Sequence, residues 1–507
     1  MIGLDAADPI LVERWTADGT LPNLRALMAA GASGRLASSA LHLAGSPWPT
    51  FYTGQPPSVH GIYHDAQWRH ERMELASPAA GWLPVQPFWR ALEGGLDVIA
   101  YDVPFTASLE PFPGTEIANW AVHDKLVPPA SHPAELLAEV RRRFGEWPMS
   151  QETFGRSRLE ELLGLREHLL ENTRRSTELA LWLLQRPWKL AIIALSAIHR
   201  GGHRLWDRSS VEGEIPPGPG EVFDGALRDL YVACDRAVGE LVAAAPDAAV
   251  VTFSVHGMGI NSARHDLLDG MLSRILANGE GSPPSRGLLR RAGEALPLGW
   301  RRALTTRIPS RLRDRIMTRW QTGGLDWART PAFSLRADLQ GYVRLNLVER
   351  ELRGIVPPGE YSSLCDRIAE GLAGFRDADT GEPFIEEIHR VDRLFTHGAR
   401  RDRLPDLIVR WKYTLAAPHR KVAAPGLGVV ERSTPGRIPG GRSGNHRGEG
   451  FLAVRGPGVP AGVRLREGSR LEDLAPTVLA LLGARARVPL AGRPIAEVVS
   501  GGGGAGD

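Results

Sequence analysis

The chain has 507 residues, 43% hydrophobic and 23% charged, with 57 glycines and 39 prolines. That balance excludes a disordered chain and leaves room for one large α/β domain with insertions, or for two domains. With 61 Lys and Arg against 58 Asp and Glu the net charge is only +3, too weak a field to imply a nucleic-acid partner without a clustered patch. Cys234 and Cys365 lie far apart and outside any CxxC pattern, which excludes a disulfide framework and favours a reducing compartment. No run approaches the roughly 18 consecutive apolar residues of a transmembrane helix. The N-terminus shows no basic segment followed by an apolar run, so a cytoplasmic protein is expected.

The first element is a short strand ending at Asp5, entered abruptly at Met1-Ile2-Gly3-Leu4. A helix is predicted from Pro9, with Ile10, Leu11 and Trp15 at helical spacing and proline suited to a first turn. Apolar runs at Leu96–Ala100, Leu190–Ser196 and Ala248–Ser254 read as buried parallel strands, each followed by a polar or glycine-bearing loop and a helical pattern. The alternation predicts an α/β fold with a mostly parallel central sheet flanked by helices. Ligands in such sheets bind beyond the carboxyl ends of the strands.

Residues 262–330 differ in texture. The Arg-rich run from Arg286 to Arg319 reads as two basic amphipathic helices separated by Leu296-Pro297-Leu298-Gly299. This helical, Arg-rich insertion is either a solvated cap or a clamp for an anionic substrate or membrane surface. Residues 331–429 read as a smaller α+β subdomain, with a strand at Tyr342–Leu347 and a helix near Tyr361–Leu372. The core then comprises 1–260 and 430–500, and the glycine-rich tail 501–507 is expected to be disordered.

Four clusters could carry chemistry. Asp5 stands at a strand end, a place where most acids are only turn residues or caps. Gly45-Ser46-Pro47-Trp48 runs on through Thr53-Gly54 to His60-Gly61-Ile62. His199-Arg200-Gly201-Gly202-His203 directly follows an apolar strand, and two histidines four apart on a helix share a face and can bind one metal. The fourth pairs Val255-His256-Gly257 with the late Gly444-Asn445-His446-Arg447. One strand-end histidine is ordinarily structural, but three such loops in one parallel sheet point to a metal site.

In order, these clusters resemble the type I phosphodiesterase/nucleotide pyrophosphatase family of the alkaline phosphatase superfamily. The likeness runs over nearly the whole chain: Asp5, Leu21-Pro22-Asn23-Leu24, Gly31-Ala32-Ser33-Gly34, Thr53-Gly54, His60-Gly61-Ile62, Pro405-Asp406-Leu407, Arg455-Gly456-Pro457-Gly458, Asp473 to Thr477 and Gly492-Arg493-Pro494. The resemblance implies two metal ions, usually zinc, flanking a Thr or Ser nucleophile. One is held by a DxxxH motif and a late His. The other is held by an N-terminal Asp, the nucleophile and a DHG motif. Carried over, Asp5 matches the N-terminal Asp, His203 the His of DxxxH, His256 the His of DHG and His446 the late His.

Three positions depart from that pattern. His199 stands where DxxxH has Asp, Val255 where DHG has Asp, and Ala44 where the nucleophile would stand, with Ser46 the nearest hydroxyl. His199, His203 and His446 then suit one tetrahedral Zn²⁺ with an open position, while Asp5 and His256 remain for a second, weaker site. The expected protein is a metal-dependent hydrolase or group-transfer enzyme for a phosphate or sulfate ester. Its substrate is a small anionic molecule, met by Asn119, Arg200 and Arg447. Either Ser46 is the nucleophile or water activated at the metal attacks directly, with His256 assisting. A lyase or transferase using the three-His metal, and a non-catalytic binding protein on the same fold, remain alternatives.

Overall fold

The middle of the fold is built from short runs that have no polar face. The strand Leu190–Leu195, of sequence LAIIAL, is buried at every position, as a parallel strand covered on both sides must be. It pairs in parallel with Ile2–Leu4 on one side and Val98–Tyr101 on the other. Ile2–Leu4 pairs in turn with Val250–Phe253, and Val98–Tyr101 with Gly114–Ala118, both in parallel. Antiparallel strands Glu449–Arg455 and Ala130–His132 flank this parallel centre in a nine-stranded sheet. The computed structural model describes residues 1–76, 86–106, 111–122, 128–146, 156–277, 310–323, 325–416, 418, 420–432 and 441–499.

Helices cover both faces, as the alternation predicted. On one face the long helices Leu159–Leu183 and Pro219–Ala243 pack with Pro9–Ala17 over Ile193, Leu195 and Tyr101. Asp8 caps the last of these by accepting from the backbone N–H groups of Ile10 and Leu11. On the other face Pro47–Thr53 and Leu474–Leu482 bury Phe51, Tyr52 and Val478 against Phe253 and Ile192. A separate four-stranded antiparallel sheet, in the order Ala332–Leu335, Gly341–Leu345, Leu407–Trp411 and Ile385–Arg390, has its own apolar cluster. The helix His265–Leu276 contributes Leu267, Leu268 and Met271 to that cluster.

The two basic helices read between Arg286 and Arg319 lie largely outside the described residues, as does the tail 501–507. The described part of that run is the helix Ser310–Thr322. None of the described helices is long and apolar enough to cross a membrane.

One close packing positions the site. The helix Ala197–Arg204 is wedged between Pro219–Ala243 and a two-stranded ribbon in which Gly257–Ile260 runs antiparallel to Gly444–Arg447. Glycines line both contacts. A Cβ on Gly201 would fall 2.2 Å from Leu230 Cδ1, and one on Gly444 only 2.0 Å from the carbonyl oxygen of Gly202. Gly444→Ala must therefore push helix and ribbon apart, and it is expected to cost about 1–3 kcal/mol, read as a lower urea midpoint. An unchanged midpoint would contradict this seating.

Candidate metal centre

Three neighbouring parallel strands end at one place and each delivers a site residue just past its last position. Ile2–Leu4 leads to Asp5, Leu190–Leu195 to the helix bearing His199 and His203, and Val250–Phe253 to His256. His446 arrives from the ribbon, where it stands opposite Met258. All five side chains are buried. His199 Nε2 lies 3.1 Å from His203 Nε2 and 2.9 Å from His446 Nε2.

The hydrogen bonds on the far side of these rings fix what the converging atoms are. His203 Nδ1 lies 3.0 Å from the carbonyl oxygen of Gly444, which can only accept, so this nitrogen carries the proton. His199 Nδ1 lies 2.8 Å from Asp5 Oδ2 and donates to that carboxylate. With each ring neutral, both Nε2 atoms are lone pairs directed at one another, an arrangement that repels unless a cation sits between them. Zn–N bonds of about 2.0–2.1 Å in a tetrahedron place nitrogens roughly 3.3 Å apart, close to the separations observed. The three histidines fit a divalent metal, with the carbonyl and carboxylate behind His203 and His199 acting as orienting partners. His446 differs: its Nδ1 is buried with no hydrogen-bond partner among the described residues.

The same geometry bears on a second site. Asp5, His199 and His256 also come within ligand distance of one another, but with Nε2 turned to His203 and His446 His199 has only Nδ1 left for this group, the atom that donates to Asp5. A neutral imidazole offers one lone pair, so His199 serves one of the two groups at a time. Asp5 is engaged on both oxygens, since Trp48 Nε1 donates to Oδ1 at 2.8 Å while His199 takes Oδ2. The indole fixes the carboxylate that in turn fixes His199. Burial, followed by the charge of Arg442, holds the His203 pKa well below its usual value. Burial, followed by His256, does the same for His446. Both rings therefore stay neutral and able to bind a metal.

The imidazoles open into a cavity of about 100 Å³ lined also by Ala44, Trp48, Phe105, Arg336, Asp338 and Arg442. Ala44 thus faces the cavity at the position the resemblance gives the nucleophile. Ser46, Asn119, Arg200 and Arg447 are not among the described residues that line it. Ser46 precedes the helix Pro47–Thr53 and its hydroxyl turns inward, donating to the carbonyl of Leu43 at 2.7 Å with Ser39 Oγ also at 2.7 Å. Asn119 donates to the carbonyl of Thr106. Arg200 lies near His168 of the helix Leu159–Leu183, whose pKa is lowered first by burial and then by the Arg200 charge. Arg447 neighbours His446 in an extended strand, where successive side chains take opposite faces. It stacks over Tyr413 and lies 3.9 Å from Asp8.

Arg336, Asp338 and Arg442 carry no motif, and only the strand-end loops they belong to could have flagged them. Behind them His64 is wholly buried between Asp65, at 2.6 Å, and Asp338, at 3.3 Å. Burial alone would lower its pKa, but the two carboxylates overcome that and raise it to about 10.

Residues 1–418 match the family described as type I phosphodiesterase / nucleotide pyrophosphatase. The chain belongs to this family. It is accordingly a phosphoryl hydrolase by family, with the alkaline phosphatase-like sheet described above, and the family is typically dependent on divalent metals. Among solved structures, murine ectonucleotide pyrophosphatase / phosphodiesterase 5, as an inactive variant in complex with AMP, is 13% identical with a TM-score of 0.47, over 97% of this chain and 96% of that one. Phosphonoacetate hydrolase from Sinorhizobium meliloti 1021 in complex with phosphonoformate is 14% identical with a TM-score of 0.48, over 95% and 94%. No curated protein matches the sequence.

Two measurements check the centre. His203→Ala and His446→Ala are each expected to lose most bound metal, whereas Asp5→Asn should keep its stoichiometry while weakening affinity by about 10- to 100-fold. Full metal content in both histidine variants would sink the assignment.

The His64 cluster adds a pH test. A folded-state pKa raised from 6.5 to about 10 gives stability that is complete below 6.5 and is lost as pH rises toward 10. The Tm of the wild type should fall over that window more steeply than that of His64→Gln. Parallel profiles would remove the charge from His64.

Proposed function

We propose that this chain hydrolyses phosphate esters with a zinc ion held by His199, His203 and His446. The observation that carries this reading is the meeting of two bare Nε2 lone pairs with a third imidazole at about 3 Å, which a cation relieves. When bound there, zinc would supply Lewis-acid polarisation of a phosphoryl oxygen. The substrate is a small anionic ester.

The remaining chemistry is assigned to the chain's own side chains. His256 Nδ1 faces the carbonyl oxygen of Gly257 at 3.1 Å and so carries a proton, leaving Nε2 as the accepting atom. That Nε2 stands 4.0 Å from Asp5 Oδ1, whose negative charge would stabilise an imidazolium. Water attacks phosphorus and gives a proton to His256 Nε2; the bond to the leaving oxygen breaks, and the proton passes to that oxygen. Ala44 contributes a methyl group at the cavity wall and Ser46 keeps its hydroxyl on Leu43, so direct attack is favoured over a covalent intermediate.

With an aryl phosphate monoester and an aryl phosphodiester as probes, Ser46→Ala should retain the activity of the wild type within about tenfold, while His446→Ala abolishes it. Elemental analysis should find one zinc per chain. A phosphorylated Ser46 trapped in a quenched turnover would overturn direct attack.

A further inference from the structure

The cavity has a second wall that the metal reading does not use. Arg336 and Arg442 line it together with His199, His203, His256 and His446. Arg442 is close enough to the histidines to be the first neighbouring charge acting on His203. Arg442 is held in place. Arg442 Nη1 lies 3.3 Å from Asp338 Oδ1, and Asp338 is itself held by His64 and by Asn445 Nδ2, which donates to its backbone carbonyl at 3.0 Å. Arg336 lines the cavity together with Asp65, the other carboxylate on His64.

We propose that Arg336 and Arg442 form an anion clamp opposite the histidines and make this site selective for a terminal, dianionic phosphoryl group, as in a phosphate monoester, over the monoanion of a diester. The inference rests on the zinc reading above and names its substrate class.

Charge and size both carry it. A terminal phosphoryl group offers three free oxygens, one for a cation held by the histidines and one for each guanidinium that lines the cavity, whereas a diester offers two. The terminal group's second negative charge also strengthens the attraction to each of these cationic groups. Guanidinium groups also match the planar pairs of oxygens that a terminal phosphoryl group presents, whereas a diester replaces one of those oxygens with an ester link. The cavity of about 100 Å³ is well below the roughly 300–1,000 Å³ of pockets that enclose a drug-sized ligand. It accepts a phosphoryl head and leaves the rest of the ester outside.

The test is equilibrium binding, which needs no turnover. Zinc-loaded protein is titrated calorimetrically with inorganic phosphate and with dimethyl phosphate at pH 8. Phosphate should bind at least about tenfold more tightly, and Arg336→Met or Arg442→Met should each weaken phosphate by about 10- to 100-fold with little change for dimethyl phosphate. Arg336→Lys and Arg442→Lys keep the charge and guard against a folding defect; each should lose part of the preference because the paired donors are gone. Equal binding of the two anions by the wild type, or a preference that survives in all four variants, overturns the clamp. Failure to hydrolyse any phosphate ester would instead count against the hydrolase reading, and the binding comparison would still decide the clamp.

Discussion

The backbone contact between Gly202 and Gly444 decides how close a helix can come to a ribbon, and the histidine cluster depends on that closeness. His203 and His446 belong to elements joined by no covalent proximity. Their rings meet because no Cβ intervenes at either glycine, and because the carbonyl of Gly444 is near enough to take the proton of His203 Nδ1. The same contact thus sets both the distance and the tautomer. Met258, which stands opposite His446 in the ribbon and touches Gly202, closes the gap from the other side. A dense interior transmits such a constraint without slack, so a methyl group at Gly444 acts on the histidine cluster through packing alone.

Much of this was legible in the sequence, for a physical reason. Period and length mark buried parallel strands, and Leu190–Leu195 and Val250–Phe253 fall within a residue or two of the predicted runs. The four histidines were legible because spacing puts His199 and His203 on one helical face and because strand ends in such a sheet share one edge. Side-chain direction in irregular segments was not. Ser46 sits in a turn whose hydrogen bond to Leu43 rotates its hydroxyl away from the cavity, and no periodicity reports that. Arg447 follows a histidine and so takes the opposite face of its strand. Arg336, Asp338 and Arg442 were invisible for a different reason: they reach the cavity from segments separated by about a hundred residues, and only the assembled fold brings them together.

Trp48 shows how the two halves of the argument meet. From sequence it is one aromatic in a proline-bounded turn. In the fold it packs on Phe51 and Phe253 and donates to Asp5, so a core residue orients a site carboxylate. Its ring also lies against the strand at Gly3, where a Cβ would come within 2.9 Å of the indole. Glycine in the first strand is thereby tied to the chemistry two residues later.

The departures from the family pattern are coupled rather than independent. With a carboxylate at position 199, Asp5 would have no imidazole donor and both oxygens could face a metal. Histidine there instead turns a proton toward Asp5 and draws that carboxylate into an orienting role. Loss of a second carboxylate at Val255, which is fully buried among apolar neighbours, removes another ligand from the same side. Two close dications need several anionic ligands to offset their repulsion, and this side now offers only Asp5, already shared between Trp48 and His199. In the one-zinc reading proposed above, a hydroxyl bridging two metals has no role, and Ala44 at that position accords with it. In that reading the charge a second metal would supply must come from elsewhere, and the only guanidinium groups among the described residues lining the cavity are Arg336 and Arg442.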